Sequence, residues 1–252
     1  MGIGMQRITL GVALVVVGFV LFVFGFLVAI ITFEEWKVVK EITPSFTTLV
    51  AAFFGAWFAY LLQLRAKEEK YRKEILASAN QVLFSLFQRV NSLKLFQMDN
   101  IDPLRGNPGI HIAMQPILSM KEEVIKFDIE KIDFLLGTNH KQIVFDLYIE
   151  DRRYETALNI IDHRSNLHLY EVQPKLHEAG VTEGVDYPES VYMDALGEML
   201  YKHLEKSTKQ VVYNVDRTVT STIETKDKLL AALKEVYPGE EFINFELLES
   251  NT

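Results

Sequence analysis

Two long apolar stretches near the start of the chain constrain its fold more than any other feature. Residues 8–32 and 45–64 contain no Asp, Glu, Lys or Arg. A helix crosses the hydrocarbon core of a bilayer with about 20 apolar residues, and both stretches reach that length. The first is far longer than the apolar core of a cleaved signal peptide, so we expect it to be retained. The sequence therefore predicts a two-helix transmembrane hairpin in residues 1–64, with an outer loop at 33–44.

Positive charge beside the second stretch predicts the orientation of the hairpin. Lys and Arg collect on the cytoplasmic side of membrane spans. The connecting loop contains Lys37 and Lys40, mixed with acidic residues. A larger set follows the second stretch and forms a basic collar at the membrane surface: Arg65, Lys67, Lys70, Arg72 and Lys73. We therefore expect both termini and the C-terminal domain in the cytoplasm, with the collar beside an anionic leaflet.

Small residues recur on one face of each apolar stretch. Glycines follow a seven-residue period in the first, and small residues are four apart in the second: Gly11, Gly18 and Gly25, then Ala51, Gly55 and Ala59. Small side chains let helix backbones approach closely, which favours helix association in lipid. Two interpretations stay open. The faces pack the two spans against each other within one chain, or they join copies of the chain into an oligomer.

Helical periodicity continues after the second stretch. Apolar residues three and four apart predict a basic juxtamembrane helical stalk over residues 65–98: Tyr71, Ile75, Ala79, Val82, Leu86, Val90 and Leu93. Turn formers interrupt the helix at 99–109. Further helices are predicted at about 120–136, from a cap at Asn139 to about 172, and at about 189–236. With no competing strand pattern, the predicted fold class is all-α, an elongated antiparallel helical bundle in the cytosol at residues 99–236, after the hairpin and stalk.

The last residues, 237–252, form an acidic and aromatic C-terminal tail. The tail contains more apolar side chains than a disordered end usually does. The first interpretation is that it docks on the bundle of its own chain. The alternative is that it is a short motif that engages a partner protein.

Composition and missing motifs exclude several classes of function. Residues 99–252 contain 16 Lys and Arg against 28 Asp and Glu, an acidic balance that argues against nucleic acid as a partner. The chain has no cysteine, so no thiolate metal site can form. No phosphate-binding loop, nucleophile elbow or zinc-protease motif occurs in it. We therefore predict a protein that is not an enzyme, with no catalytic residue, no metal site and no cofactor.

A charged stretch of the helix predicted from Asn139 holds the candidate functional residues. Arg152, Arg153 and Arg164 could together grip a phosphate group. A solvated helix face with salt bridges is the plainer interpretation of these charges. Packing alone does not explain why an arginine and a histidine should occur at 164 and 168. We therefore treat Arg152, Arg153, Arg164 and His168 as a candidate interaction cluster.

Ten residues within 150–176 form a pattern that we compare with known families: Arg153, Tyr154, Ala157, Arg164, Ser165, Leu167, His168, Gln173, Pro174 and Leu176. The pattern resembles a segment of bacterial two-pass inner-membrane proteins that carry a cytosolic helical domain. The resemblance covers about a tenth of the chain together with its layout. It implies a location in the bacterial inner (cytoplasmic) membrane and a helical shape, and it implies no activity.

The sequence as a whole predicts a membrane-anchored helical interaction or scaffold protein. We expect it to self-associate or to bind a protein partner through its cytosolic bundle. The alternative, suggested by the layout alone, is an oligomerising effector that perturbs the membrane in a bacterial stress or phage-defence system. A third class, an enzyme acting on lipid or nucleotide near the collar, would require a polar pocket that contains residues of the candidate interaction cluster.

Overall fold

A computed structural model describes residues 17–18, 21, 24–25, 28, 36–117, 129–182 and 184–245. These residues form helices and turns with no strand among them, so the all-α prediction is confirmed for this part of the chain. The predictions for most of the first span, for Gly11, for residues 33–35 of the outer loop, for 120–128 and for the end of the tail lie outside the described residues. The chain divides into two compact units, Met1–Lys73 and Glu74–Thr252.

Helix α1 spans Trp36–Phe96 without interruption and contributes residues to both units. The apolar pattern predicts a helix start at about Pro44; the helix instead starts eight residues earlier, so residues 36–43 of the predicted outer loop are helical. Proline lacks a backbone N–H donor, but the residues just before it include no glycine or other helix breaker, so the helix continues through it. The Thr48 hydroxyl donates a hydrogen bond to the Pro44 carbonyl at 2.9 Å.

The first unit exposes the apolar part of α1. The helix is long and apolar enough to cross a membrane, and none of its most apolar window is buried. Large apolar side chains such as Phe58 and Leu62 are exposed. The described residues of the first span are also helical and exposed. A Cβ placed on Gly18, Gly25 or Gly55 would meet no described atom within 4 Å, so no helix packs against these three glycines in the described part of the chain.

The second unit contains the end of α1 and, in its described part, five further α-helices: α2 (Ile110–Ala113), α3 (Lys141–Leu167), α4 (Gln173–Glu178), α5 (Glu189–Leu196) and α6 (Glu198–Val236). One apolar cluster joins Leu83 of α1, Leu147 of α3 and Leu229 of α6. A second cluster joins later residues of α1 and α3 to earlier residues of α6: Leu93, Ile161 and Val215. Helix α6 therefore runs opposite to both α1 and α3, which run in the same direction.

Buried polar contacts tie α3 to its neighbours at the middle of these clusters. Nη1 of Arg89 on α1 lies 2.7 Å from a carboxylate oxygen of Asp151 on α3, and the arginine side chain is 7% exposed. The buried carboxylate of Glu150 accepts hydrogen bonds from the hydroxyls of Ser221 at 2.7 Å and Thr222 at 3.1 Å, both on α6. These bonds fix the register of α3 against both helices, because a buried polar group that loses its partner costs free energy.

The helix predicted at 189–236 is broken at Gly197, so the prediction of a single helix is wrong. Gly197 has φ 75° and ψ 151° and separates α5 from α6. This backbone conformation is open to glycine and strained for other residues. The apolar spacing predicts Met199 on the buried face of an unbroken helix, but the break shifts the helical phase and Met199 is 88% exposed.

The helix predicted from Asn139 begins two residues later, at Lys141, after His140. The N-cap residue is His140, which makes no side-chain capping bond, so the predicted cap at Asn139 is wrong; the Thr138 hydroxyl accepts a hydrogen bond from the His140 backbone N–H at 3.0 Å. The helical path continues to residue 172, as predicted, through a π-helical turn at His168–Val172. In the described part of the predicted helix at 120–136, Ile129–Gly137 is a 3-10 helix.

The described part of the C-terminal tail packs on α1. The Phe245 ring stacks on Phe87 with ring centroids 4.3 Å apart, and it contacts Phe84 at 5.7 Å. The Ile243 backbone N–H donates a hydrogen bond to the Asn80 side chain at 2.9 Å. As far as Phe245, the tail therefore docks on its own chain, which is the first of the two interpretations that the sequence left open.

Candidate functional site

A buried arginine organises the end of α3. Arg164 is 2% exposed, and no ion pair to a carboxylate is found for it among the described residues. Its Nη2 donates to the backbone carbonyls of His111, at 3.1 Å, and Met114. Its Nε lies 3.4 Å from the Thr208 hydroxyl, and its Nη1 has no hydrogen-bond partner. Burial lowers the pKa of Arg164 to about 10, since burial disfavours the charged form.

The adjacent serine completes a clamp on residues 110–117. The Ile117 backbone N–H donates to the Ser165 hydroxyl at 3.2 Å. The last carbonyls of a short helix such as α2 have no partner within the helix, and Arg164 supplies the donors that they lack. Arg164 and Ser165 therefore hold α2 and the chain after it against α3. This role explains the arginine and serine at these positions without a phosphate ligand.

The clamped segment forms one wall of a cleft in the second unit. The cleft has a volume of about 1360 Å³ and lies between α2, the π-helical turn with α4, the loop at 184–187, and the first turns of α5 and α6. His111 of α2 and His168 of the π-helical turn line it. Tyr201 and Glu189 line the side formed by α6 and α5. The cleft is therefore a polar concavity built by four separate stretches of chain.

Two of the three histidines that line the cleft, His111 and His168, are buried and held neutral. Each is 4% exposed, and Nε2 of His111 and Nδ1 of His168 have no hydrogen-bond partner. Burial, and then the positive charge of Arg164, lowers the pKa of His168 to about 4, while a bond to the Ile112 backbone opposes the shift. Burial likewise lowers the pKa of His111, against the charges of Glu205 and Glu189. Both imidazoles are therefore neutral at pH 7 and carry a lone pair.

The opposite side of the cleft is acidic and aromatic. The Tyr201 hydroxyl donates to Glu189 at 3.0 Å, and burial followed by this carboxylate raises the pKa of Tyr201 to about 12. Its ring meets the His111 ring edge-on with centroids 4.7 Å apart. Glu205 also lines the cleft. No Lys or Arg lines it among the described residues.

The structure divides the candidate interaction cluster. Arg164 and His168 lie together at the cleft, and of the four residues His168 is the one that lines it. Arg152 is about 18 Å from Arg164 along α3, twelve residues at 1.5 Å each. It is exposed and pairs with Glu155 at 2.9 Å, and Arg153 pairs with the buried Glu150. Arg152 and Arg153 therefore belong to a helix face with salt bridges, which was the plainer interpretation.

The predicted basic collar is helical and exposed at every position. Lys73 pairs with Glu69 at 2.7 Å, and both side chains are mostly exposed. Such exposed pairs contribute little free energy. The collar therefore presents its charges to solvent in the first unit, where the helix is continuous.

The cleft offers polar groups of several kinds, and it contains His168 of the candidate interaction cluster. Among the described residues, no group of three or more His, Asp or Glu side chains is arranged to hold a metal ion. The polar side chains that line the cleft are carboxylates, imidazoles, hydroxyls and amides, so they include both donors and acceptors of hydrogen bonds. Comparison of the chain with protein-family models, curated proteins and solved structures finds no match.

Sequence reasoning missed most of the residues that form this site. His111, Glu189, Tyr201 and Glu205 come from three elements that are distant in sequence from His168. His111 lies just after the turn-rich stretch and has no periodic neighbours that would mark it. The one usable signal was the unexplained Arg164–His168 pair, which pointed to the right end of α3.

Proposed function

We propose that the chain is a membrane-anchored helical interaction protein with no catalytic role, which self-associates or binds a protein partner through its second unit. The observation that carries the proposal is the uncovered apolar part of α1. A surface of this size and apolarity is unfavourable in water and marks contact with lipid or protein. The same helix continues into the core of the second unit, so one helix would serve as both anchor and core element.

The finer topology is part of the same proposal. The apolar, uncharged stretch at 8–32 forms a transmembrane hairpin together with the apolar part of α1. The second unit is an antiparallel bundle in which α6 runs opposite to α3. Five basic residues follow the apolar region of α1. Their positive charge supports a cytoplasmic location for this unit and for both termini. The membrane is then the inner membrane of a bacterium, as the resemblance of residues 150–176 implies.

Self-association is supported by the small residues of the apolar region. Gly18, Gly25 and Gly55 have no described neighbour that a Cβ would touch within 4 Å. In lipid, helices associate through such small faces, because close packing replaces the absent hydrophobic driving force. Ala51 and Ala59 extend the face on α1 by one turn in each direction.

The experiment is chemical crosslinking and native mass measurement of the full chain in detergent. We expect an oligomer in the wild type and a shift toward monomer in Gly55→Leu, which places a bulky side chain on the small face. Phe53→Leu is the matched control, since it changes an apolar residue on the opposite side of the helix. A strictly monomeric wild type that also captures no partner protein would refute the proposal.

The alternative of a membrane-perturbing effector is separated by a different readout. Overproduction in cells that carry a membrane-potential dye would depolarise them if oligomers breach the bilayer. Unchanged potential in cells that produce the wild type or Gly18→Leu would exclude the effector and leave the interaction protein.

A further inference from the structure

The cleft has an acidic lining with no cation in its described wall. Asp186, Glu189 and Glu205 contribute three carboxylates. Two cations nearby weaken their field. Lys209 lies 2.5 Å from Glu205, with its side chain 73% exposed, and Arg164 is buried behind the histidine wall. Since a mostly exposed lysine is screened by solvent, the lining stays net negative and favours a positively charged ligand.

Aromatic rings line the same cleft in two pairs. Tyr187 and Tyr192 meet edge-on at 6.1 Å, and His111 and Tyr201 at 4.7 Å. The face of a tyrosine ring attracts ammonium groups, with about 0.5–2 kcal/mol for each contact. Tyrosine rings beside carboxylates are therefore a surface that suits an organic cation better than a hydrated inorganic one.

Unpaired acceptors point to the N–H groups of such a ligand. Nδ1 of His168 has no partner, and the bond to the Ile112 backbone therefore uses the other ring nitrogen. In the neutral ring, a donating Nε2 leaves a lone pair on Nδ1. Nε2 of His111 is also unpaired. A buried polar nitrogen without a partner is costly, so a ligand group that reaches one of these nitrogens and bonds to it is stabilised.

The size of the cleft and the number of its carboxylates suggest more than one ammonium group. About 1360 Å³ exceeds what a single small amine fills. The carboxylates come from the 184–187 loop, α5 and α6, and two of them, Glu189 and Glu205, lie near both Tyr201 and His111. We propose that this cleft binds a small linear polyamine, held by its carboxylates, its tyrosine rings and its histidine nitrogens. The proposal concerns the second unit and does not depend on the oligomeric state of the chain.

The test is isothermal titration calorimetry of the full-length chain in a non-ionic detergent, with spermidine as the probe. We expect one saturable site that Glu189→Gln and Tyr192→Leu each weaken about fivefold or more. Glu198→Gln is the matched control, because Glu198 is exposed, pairs with Lys202 and does not line the cleft. Its affinity should equal that of the wild type. Tyr192→Leu leaves the Tyr201–Glu189 bond in place, and far-UV circular dichroism verifies that each variant is folded.

The binding of three other ligands distinguishes a polyamine site from a site for a quaternary ammonium, an anion or a basic peptide. Choline, which has a quaternary ammonium and no N–H, should bind more weakly than spermidine, and inorganic phosphate should not bind. Absence of spermidine binding, equal binding by all variants, or tighter binding of phosphate would each overturn the proposal. A lysine-rich peptide that binds more tightly than spermidine, with the same dependence on Glu189 and Tyr192, would overturn the assignment to a small polyamine.

Discussion

The Arg164 clamp makes a prediction that separates hydrogen-bond geometry from charge. In Arg164→Met the side chain keeps a similar length but has no N–H groups. The carbonyls of His111 and Met114 therefore lose their hydrogen-bond donor. In Arg164→Lys the positive charge stays, but an ammonium cannot present the flat fork that serves two carbonyls. The pair of variants therefore asks which property of arginine stabilises the fold.

The magnitude follows from two opposing contributions. Hydrogen bonds from a charged donor contribute about 1.5–3 kcal/mol each, so the two carbonyl bonds contribute about 3–6 kcal/mol. Burial of the charge, which lowers the pKa of Arg164 to about 10, costs about 3 kcal/mol. Arg164→Met loses the hydrogen-bond contribution and regains the cost of burying the charge, so we expect a net loss of about 1.5 kcal/mol, within a range of about 0–3 kcal/mol. Arg164→Lys should lose at least as much, because the charge remains buried with fewer bonds.

The assay is urea unfolding of the full chain in detergent, followed by far-UV circular dichroism, together with hydrogen exchange read by mass spectrometry. Exchange should rise first at residues 110–117, where the Met114 N–H bonds to the Ile110 carbonyl, and less in the middle of α6. Wild-type stability and exchange in Arg164→Lys would refute the reasoning, since charge alone would then suffice.

Three further predictions use the same unfolding assay. Glu150→Ala should destabilise the fold by about 2–4 kcal/mol, because the partly exposed guanidinium of Arg153 and two hydroxyls of α6 lose their acceptor, whereas Glu155→Ala on the exposed face should cost less than about 0.5 kcal/mol. Equal effects would contradict the buried role of Glu150. Gly197→Ala should cost about 1–3 kcal/mol through its positive φ, while Gly137→Ala, at a position without positive φ, should stay within about 0.5 kcal/mol. His168 has a folded-state pKa of about 4, below its unfolded value of about 6.5, so stability should fall by up to about 3 kcal/mol as pH drops from 6.5 to 4. His168→Gln should flatten that slope, and an unchanged slope would show that another group titrates.

Helical periodicity predicted the core of the second unit because burial there follows a regular face. Most of the predicted α1 stripe is buried: Ile75, Ala79, Val82, Leu86, Val90 and Leu93. Tyr71, at the start of the stripe, is 51% exposed and belongs to the first unit. Periodicity identifies an apolar face, but it cannot tell where along a continuous helix the partners for that face begin.

The Gly197 break shows why the helix ends were harder to predict. Helical spacing continues on both sides of it, and an isolated glycine within such a pattern is often tolerated. The outcome depends on φ and ψ at one residue, which tertiary packing decides. The shift of Met199 into solvent follows from that single backbone choice.

The cleft could not be predicted from sequence because its parts meet through tertiary contacts. Arg164 reaches the carbonyls of His111 and Met114, about 50 residues away, and backbone carbonyls leave no trace in a sequence. Arg152 and Arg153 carry the same charge as Arg164 on the same helix, yet they pair with local glutamates. Charge type alone therefore did not distinguish the buried arginine from its exposed neighbours.

The most direct test of the central claim is the membrane attachment of the full-length chain in bacterial cells. We predict that the protein stays in the membrane pellet after high salt and alkaline carbonate, and that detergent alone releases it. Recovery of the protein in the carbonate supernatant would contradict a transmembrane anchor and with it the account of the exposed apolar region of α1.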